Sequence, residues 1–455
     1  MLSQARPIRN PLDQRPTTLM ESTLALGIVV LNRKYFPAAE RSAAQVGSSS
    51  FTFSVLRVLF EANILTGIVL YSRDEASTTA YYHAEGDWNG IPVVTIHFHF
   101  RMSYLTIATA LKGAFNLSSN HRSHTSVPIV YYQTDTLLPY HPPGSRFCVT
   151  HHGPLVSHFV GQFSFEAAQL AFGGDPEKVA VLYRQQRKGI HRLLLDKRGT
   201  VLAHSKLQQQ ILEHEGLESS RFQMLRPPVG IPRCRQRVTL SQQLKEFVES
   251  SQILLFTAVA RLDYFKNVDL LVETYLVLMG RGRPARLLVL GDPEDDPARR
   301  RALLASVPAH RRNNFLILPR LPKDHLYALF ALVRFKGIFV CPSRYETLGI
   351  TPLEAAAGGV TTFITETPNV EALSFIPQRY RVGSDAESIA SSIENAYRDG
   401  IQKSSIAIAS YVRQRTSLGG FRKDLLRAWA EMSESYVASR HLQPCVDLGC
   451  EKTNR

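Results

Sequence analysis

Residues 341–354 read Cys341-Pro-Ser-Arg-Tyr-Glu346-Thr-Leu-Gly349-Ile-Thr-Pro-Leu-Glu354, and this stretch decides how the whole sequence is interpreted. Two carboxylates, Glu346 and Glu354, flank a glycine-containing turn that leads into a predicted helix. Ionised carboxylates accept hydrogen bonds, and they can therefore hold the hydroxyl groups of a neutral ligand. The stretch is a candidate binding site for a hydroxylated compound.

Two cations precede this stretch in the chain. Arg261 and Lys266 follow the apolar run 253–260, which is predicted to be a buried strand. Taken singly, each would be an ordinary solvated charge, because most Arg and Lys side chains are exposed. Held together just beyond a strand, two cations can neutralise a diphosphate. The four charged residues jointly predict a site for a ligand with a charged middle and hydroxylated ends, which is the chemistry of a sugar nucleotide.

The pattern Arg261-Leu-Asp-Tyr-Phe-Lys266, followed by Glu346 and, after seven further residues, Glu354, resembles the retaining glycosyltransferases of family 4. The resemblance is strong over residues 250–370 and weaker upstream. It implies the α/β GT-B fold, in which two Rossmann-like domains with parallel sheets face each other across a cleft. It also implies transfer of a sugar from a nucleotide-diphosphate sugar to a hydroxyl acceptor with retention of the anomeric configuration.

The resemblance assigns a role to each matching residue. Arg261 and Lys266 are expected on the donor diphosphate, Glu346 beside the transferred sugar, and Glu354 on the nucleotide ribose. Backbone N–H groups of the turn that follows Glu346 are expected to bind the donor sugar, and residues at the end of a later strand are expected near the nucleotide base. These further residues are Thr347, Leu348 and Gly349 for the sugar, and Arg320 and Leu321 for the nucleotide.

Glu354 also has a purely structural interpretation. Thr351, Pro352 and Glu354 form a favourable helix start, with Thr351 as the N-cap, proline at the first helical position and Glu354 three residues after the cap. On this motif alone Glu354 would be a capping-box carboxylate. The ribose role and the capping role lead to different hydrogen-bond partners for the same side chain.

Two upstream segments extend the candidate site. Gly47 and Ser48 precede a predicted helix, where a loop can offer backbone N–H groups to a phosphate. The family usually has two adjacent glycines there, so a plain serine loop that caps the helix remains an equal alternative. His152 follows a predicted strand in Thr150-His-His-Gly153, and alignment with the family's Thr-x-His-Gly motif selects His152 over His151 as an active-site residue.

This sequence departs from the family pattern at two places. The family commonly has Glu-Gly-Phe-Gly where this chain has Glu346-Thr-Leu-Gly349, and a Gly-x-Pro turn where this chain has Gly359-Val-Thr361. The first change keeps the second glycine. The second replaces a rigid proline by Thr361, and neither removes a charged residue.

A chain of 455 residues is long enough for two or three domains. Apolar runs alternate with helical patterns, as an α/β sheet requires, and the proline-rich segment 226–232 is the expected hinge. We predict a flexible arm (1–20), an acceptor-binding domain (21–228), a nucleotide-sugar domain (229–418), a helix that crosses back to the first domain (419–440) and a flexible tail (441–455).

The predicted elements are short strands separated by helices. The strands are expected at 24–31, 68–71, 93–98, 129–132, 147–150, 254–260, 286–290, 315–318 and 337–341. Helices are expected at 51–64, 268–279 and 326–333, and a further helix over 419–440 has an apolar stripe. The stripe consists of Phe421, Leu425, Trp429, Met432 and Tyr436.

Composition narrows the class of protein. Five scattered cysteines argue against a disulfide scaffold and favour a reducing, cytoplasmic compartment. A formal charge of +14 would suit nucleic acid, but the basic residues are dispersed and no nucleic-acid-binding motif occurs. The charge equally suits peripheral contact with an anionic membrane, an acidic acceptor or simple solubility. No apolar run has the ~20 residues that a membrane-spanning helix needs.

The expected function is that of a metal-independent hexosyltransferase that requires no cofactor. A UDP-sugar is the expected donor, and the acceptor is an unidentified hydroxyl compound, either a small molecule, a lipid or a glycan. The acidic segment 292–296 is expected to be a solvated loop rather than a metal site. The alternatives are a GT-B protein that binds its ligand without turnover and a sugar-nucleotide epimerase on the same scaffold.

Overall fold

The computed structural model describes residues 24–36, 47–119, 127–171, 176–230, 238–292 and 297–441. The predicted arm (1–20) lies outside these residues, as does the predicted tail (441–455) after its first residue. The predicted solvated loop (292–296) lies outside them after Asp292.

The described part of the N-terminal half forms one sheet of eight strands, in the order β3-β4-β2-β1-β5-β6-β7-β8. Its pairs are parallel except β3 with β4, which is antiparallel. The strands are β1 (Gly27–Asn32), β2 (Leu65–Arg73), β3 (Tyr81–Trp88), β4 (Ile91–Phe98), β5 (Ile129–Tyr132), β6 (Phe147–Val149), β7 (Gly199–Ala203) and β8 (Phe222–Met224). The helices of this half are α1 (Gly47–Glu61), α2 (Tyr104–Ser119), α3 (Val156–Gln162), α4 (Phe165–Ala171), α5 (Pro176–Leu195) and α6 (Lys206–His214).

The described part of the C-terminal half forms a second sheet of six strands, in the order β11-β10-β9-β12-β13-β14. All of its pairs are parallel. The strands are β9 (Ile253–Ala258), β10 (Ala285–Asp292), β11 (Phe315–Pro319), β12 (Gly337–Cys341), β13 (Thr361–Thr365) and β14 (Arg381–Val382). The helices are α7 (Gln242–Glu249), α8 (Val268–Gly280), α9 (Pro297–Ala305), α10 (Lys323–Val333), α11 (Ile350–Gly358), α12 (Ala386–Arg398), α13 (Ile401–Arg415) and α14 (Leu418–His441).

Two sheets with helical crossovers, parallel except for the β3–β4 pair, confirm the predicted α/β fold class. Each predicted strand overlaps an observed strand, although β1 begins at Gly27 rather than at residue 24. The predicted loop before the first helix is wrong, because α1 already begins at Gly47. Strand β3 was not predicted, because its side chains are almost all exposed and it lacks the apolar alternation of a half-buried strand.

Helix α14 carries the chain back from the second sheet to the first domain. Trp429 is fully buried, packs against Tyr131 with ring centroids 6.5 Å apart, and donates its indole N–H to the carbonyl of Ala25 at 2.7 Å. Phe421 packs edge-on against Phe51 of α1 at 5.2 Å. One continuous hydrophobic cluster consequently includes residues of both domains, which fixes the domains at the end of the cleft beside α14.

No helix within the described residues is both long and apolar enough to span a membrane.

Candidate functional site

A cavity of about 540 Å³ lies between the two domains. The N-terminal domain contributes residues from the segments that follow β1, β6 and β7 and from helices α1 and α3. The C-terminal domain contributes the segments that follow β9, β11 and β12, as expected when ligands bind beyond the carboxyl ends of parallel strands. The residues from the N-terminal side are Tyr35, Phe51, His152, Gly153, Pro154, Phe159 and His204.

Lys266 and Glu346 meet in this cavity as an ion pair. The Lys266 ammonium lies 2.5 Å from Oε1 of Glu346, and the Ser343 hydroxyl donates to the same oxygen at 3.0 Å. Burial lowers the pKa of Lys266, but the neighbouring Glu346 carboxylate outweighs it, so the pKa is raised overall. Lys266 is therefore an ammonium at neutral pH, in contact with the carboxylate that was predicted to orient the sugar.

Arg261 lies on the solvent side of the same loop. Its guanidinium is 64% exposed and pairs with Asp263 at 2.9 Å. The Asp263 carboxylate also accepts the backbone N–H groups of Phe265 and Lys266, at 3.1 and 3.0 Å, which holds the loop in a tight turn. Arg299 supports this loop from α9 by donating to the Leu262 carbonyl at 3.0 Å.

Gly291 permits close packing behind this loop. Its φ of +130° suits glycine, and a Cβ there would lie 2.1 Å from the carbonyl oxygen of Val259. The end of β10 can therefore approach the segment that leads from β9 into Arg261. A side chain at position 291 would push the cationic loop away from its present place.

The segment from Glu346 to Gly349 is held by backbone hydrogen bonds. The Glu346 N–H donates to Asn369 at 2.9 Å, and the Glu371 N–H donates to the Glu346 carbonyl at 3.1 Å. Gly349 has a left-handed φ of +76°, and a Cβ there would lie 2.9 Å from Cβ of Ala372. Thr347, Leu348 and Gly349 line the cavity, as does Glu346.

Contacts from this segment reach across to the N-terminal domain. The Thr347 hydroxyl donates to the backbone carbonyl of His152 at 2.8 Å. The neighbouring Glu371 carboxylate accepts from the Ser205 hydroxyl at 3.0 Å and from the Leu207 N–H at 3.1 Å, at the N-terminus of α6. Thr347 and Glu371 thus link the two walls of the cleft, and Thr347 stands where the family commonly has glycine.

Glu354 does not make a capping box. Helix α11 begins at Ile350 with Gly349 as its N-cap, so the predicted N-cap role of Thr351 is wrong. Instead, the Glu354 carboxylate is 2% exposed and lies 2.5 Å from the Lys323 ammonium and 2.9 Å from the Tyr327 hydroxyl. Glu354 is not among the residues that line the cavity, and its ribose role stays a prediction.

Arg320 and Leu321 follow β11 and line the cavity together with Leu326 of α10. They lie on the same side of the cleft as Lys323, which begins α10. Their predicted contact with the nucleotide is consistent with this position and stays a prediction.

His152 lies in the N-terminal wall, whereas His151 points elsewhere. The Nε2 atom of His152 is 3.1 Å from the Gln133 side-chain oxygen, and its ring stacks on His204 with centroids 5.3 Å apart. Nδ1 of His151 instead lies 3.5 Å from Asp135. Burial, with His204 and His151 nearby, holds the pKa of His152 well below 6.5. At neutral pH His152 is an uncharged imidazole.

Gly47 and Ser48 belong to the first turn of α1, and Phe51, one turn further along, borders the cavity. The backbone N–H groups of a first helical turn lack intrahelical partners. The diphosphate-binding role of Gly47 and Ser48 remains a prediction.

Several residues at the cleft were missed in the sequence, and four of them are notable. Tyr35, Phe159 and His204 line the cavity, and Glu371 bridges the domains. Each comes from a separate segment without a recognisable motif, so only the tertiary fold brings them together. His204 could have been noticed because it directly follows a strand, as His152 nearly does.

No group of three or more His, Cys, Asp or Glu side chains suited to a metal ion occurs among the described residues.

Comparison with known proteins connects the C-terminal domain with a family. Residues 242–412 match the model of the glycosyl transferases group 1 family. This range contains Arg261, Lys266, Glu346 and Glu354. No curated protein sequence matches the chain significantly.

Solved structures resemble the whole chain at low sequence identity. A glycosyltransferase from Rickettsia africae ESF-5 aligns with 90% of this chain and 98% of its own, at 16% identity and a TM-score of 0.58. Sucrose-phosphate synthase from Thermosynechococcus elongatus aligns with 90% and 100%, at 16% identity and a TM-score of 0.61. A UDP-forming α,α-trehalose-phosphate synthase from Burkholderia xenovorans, in complex with glucose-6-phosphate, aligns with 89% and 100%, at 12% identity and a TM-score of 0.63. The chain therefore has the GT-B fold, and its residues 242–412 match the model of the glycosyl transferases group 1 family.

Proposed function

We propose that this chain is a retaining glycosyltransferase that moves a sugar from a nucleotide-diphosphate sugar, with UDP as the expected nucleotide, to a hydroxyl acceptor. The observation that carries the proposal is the Lys266–Glu346 pair in the cleft, with Arg261 on the same loop. A cation for the leaving group and a carboxylate for the sugar are already in contact there. Both belong to the matched range.

The proposed chemistry follows from how charge develops. Breaking the bond between the anomeric carbon and the diphosphate leaves negative charge on the diphosphate and positive charge on the sugar ring. Preorganised cations at the leaving group stabilise that state more than the ground state. Lys266 and Arg261 would therefore contact the diphosphate, while Glu346, relieved of part of its pairing, accepts hydrogen bonds from the sugar hydroxyls.

We propose that retention arises from front-face attack, in which the acceptor approaches the face from which the diphosphate departs. In that geometry the departing phosphate oxygen takes the acceptor proton, and no separate base is needed. His152 is uncharged and lies on the opposite wall, where its proposed role is to orient the sugar. The cations on the C-terminal wall supply the leaving-group stabilisation, and we propose that neither a divalent metal nor another cofactor is required.

The nucleotide is proposed to extend from Arg261 towards Arg320 and Leu321. Glu354 lies beyond the cavity lining with Lys323 and Tyr327 on its two oxygens. A ribose hydroxyl would therefore have to donate to a lone pair of the Glu354 carboxylate that Lys323 and Tyr327 do not use.

The proposed location of the protein is the cytoplasm, and the net charge of +14 favours peripheral contact with an anionic membrane.

Thermal-shift measurements with UDP-, GDP- and ADP-sugars test the proposed donor. A ligand at about a hundred times its dissociation constant should add about 2.7 kcal/mol to the free energy of unfolding. We expect the largest rise in Tm with a UDP-sugar, the same rise in excess EDTA, and slow release of UDP on incubation. A rise without UDP release, even with acceptors, would favour a binding protein without turnover, and no rise with any nucleotide would refute the donor site.

Substitution of His152 by alanine is expected to separate binding from turnover. Nucleotide affinity should be unchanged, because the cations lie on the other wall, whereas turnover should fall by about tenfold to a hundredfold, because sugar orientation is lost. His151→Ala is the control, since that side chain pairs with Asp135. Equal turnover in the His152 variant and the parent protein would mean that the imidazole is only structural.

A further inference from the structure

The two walls of the cavity differ in charge. Among the described residues, the Lys and Arg side chains that line it are Arg261, Lys266 and Arg320, and all three belong to the C-terminal domain. The described N-terminal lining has no Lys or Arg, and Tyr35 is its half-buried aromatic side chain, whereas Phe51 and Phe159 are fully buried. One wall is therefore suited to a diphosphate, and the facing wall offers an uncharged surface on which the Tyr35 ring is accessible.

The charges of the lining leave no surplus cation for a second anionic substrate. The three cations are opposed by Asp263 and Glu346, so the described lining carries a net charge of +1. The diphosphate of a nucleotide sugar brings about two negative charges, since each of its phosphates is ionised at neutral pH. A phosphorylated acceptor in the same cavity would add like charge where solvent screening is weak.

The two histidines of the N-terminal wall do not supply the missing charge. Burial lowers the pKa of His204 to about 4, and burial also holds the pKa of His152 well below its ordinary value. Both imidazoles are uncharged at neutral pH. His152 is only partly buried and can exchange hydrogen bonds with a neutral hydroxyl, but neither imidazole offers a cation to a phosphate.

We propose that the acceptor is an uncharged hydroxyl compound whose apolar ring or chain packs against Tyr35. This inference rests on the proposed glycosyltransferase function and specifies its second substrate. It sets the chain apart from the Burkholderia xenovorans synthase, whose structure holds glucose-6-phosphate. The Tyr35 ring can cover an apolar surface of the acceptor, while the neutral imidazole of His152 meets one of its hydroxyls.

The transfer step balances with such an acceptor. The hydroxyl oxygen forms a bond to the anomeric carbon, and the bond between that carbon and the diphosphate oxygen breaks, with its electron pair leaving on the diphosphate. The acceptor proton passes to the departing phosphate oxygen. The products are the neutral glycoside and the nucleoside diphosphate, and no oxidant or other co-reactant is consumed.

A matched pair of acceptors tests the proposal. Phenyl β-glucoside and glucose 6-phosphate share the hexose, but the first carries an uncharged aromatic ring and the second a phosphate. With the donor that gives the largest Tm rise, we expect kcat/KM for the phenyl glucoside to exceed that for glucose 6-phosphate by at least about tenfold. A preference for glucose 6-phosphate, or equal or absent transfer to both, would overturn the proposal.

Tyr35→Ala tests the aromatic wall itself. Tyr35 is half-buried at the edge of the cleft, so its loss should leave the fold intact. Loss of an aromatic contact should lower kcat/KM for the phenyl glucoside by about tenfold while the donor-induced Tm rise stays unchanged. Tyr183→Ala is the control, because Tyr183 is an exposed tyrosine on α5 outside the cavity lining. Equal kcat/KM in the two variants would overturn the assignment of this wall.

Failure of this inference is distinguishable from failure of the proposed function. Donor binding, and UDP release in the absence of acceptor, depend on the cations of the C-terminal wall and do not depend on Tyr35. If both occur and the acceptor preference is reversed, only the acceptor class is wrong. If neither occurs with any nucleotide sugar, the glycosyltransferase proposal itself fails.

Discussion

Lys266→Ala is expected to abolish the Tm rise with nucleotide sugars and to lower kcat/KM for the donor by about a thousandfold. The ammonium is only 17% exposed and is the cation in direct contact with Glu346. Removal of one preorganised charged donor from a transition-state site typically costs about 10²–10³ in kcat. The loss of ground-state affinity for the diphosphate adds to that effect in kcat/KM.

Two further variants separate charge from packing. Lys266→Met keeps most of the side-chain volume but removes the ammonium, and it should be as inactive as Lys266→Ala if charge is what matters. Arg281→Ala breaks an ion pair of the same domain, with Glu387 and Glu394, outside the cavity. It should leave donor binding unchanged. A full Tm rise in either Lys266 variant would contradict the diphosphate role of this residue.

The effect of the Lys266 variants on stability tests the Lys266–Glu346 ion pair independently of donor binding. In the Lys266 variants its carboxylate remains largely buried and keeps only the Ser343 hydroxyl as a side-chain donor. An unpaired buried charge is destabilising. The Lys266 variants should consequently have a lower Tm than the parent even without ligand, and Lys266→Ala combined with Glu346→Gln should recover part of that loss without recovering donor binding.

The C-terminal sheet was predictable because its strands are short, apolar and separated by regular helical patterns. β12 was predicted at its observed bounds, and Arg261, Lys266 and Glu346 were predicted to share a site that the structure brings together in one cleft. The signal is local in each case. A charged residue just beyond an apolar run marks the carboxyl edge of a parallel sheet, where such residues converge.

Side-chain partners across long sequence separations were not predictable in this way. The capping-box interpretation of Glu354 was locally sound, yet Lys323 and Tyr327 of another helix hold its carboxylate. The bridge from Glu371 to Ser205 joins residues that share no motif. Such contacts depend on how distant segments and the two domains are placed relative to each other. The hydrophobic periodicity of a sequence carries no information on that placement.

Trp429→Ala is expected to destabilise the chain by about 3–5 kcal/mol, the usual cost of deleting a large buried aromatic side chain. The indole is fully buried between α14 and the first sheet, and it also donates a hydrogen bond to Ala25. Because this contact connects the domains, its loss should weaken their cooperativity as well as their stability. Urea unfolding followed by fluorescence is a suitable measurement, since Trp88 is then the remaining tryptophan and lies in the N-terminal sheet.

Gly27 supplies the decisive control for this packing. A Cβ at position 27 would lie 2.5 Å from the Trp429 ring, so Gly27→Ala should destabilise the parent protein by about 1–3 kcal/mol through overpacking. In the Trp429→Ala background the ring is absent and the same change should cost less than about 0.5 kcal/mol. Strictly additive effects of the two substitutions would show that α14 does not pack against β1 in solution, and the connection between the domains would then have to be sought in Thr347, Glu371 and the cleft itself.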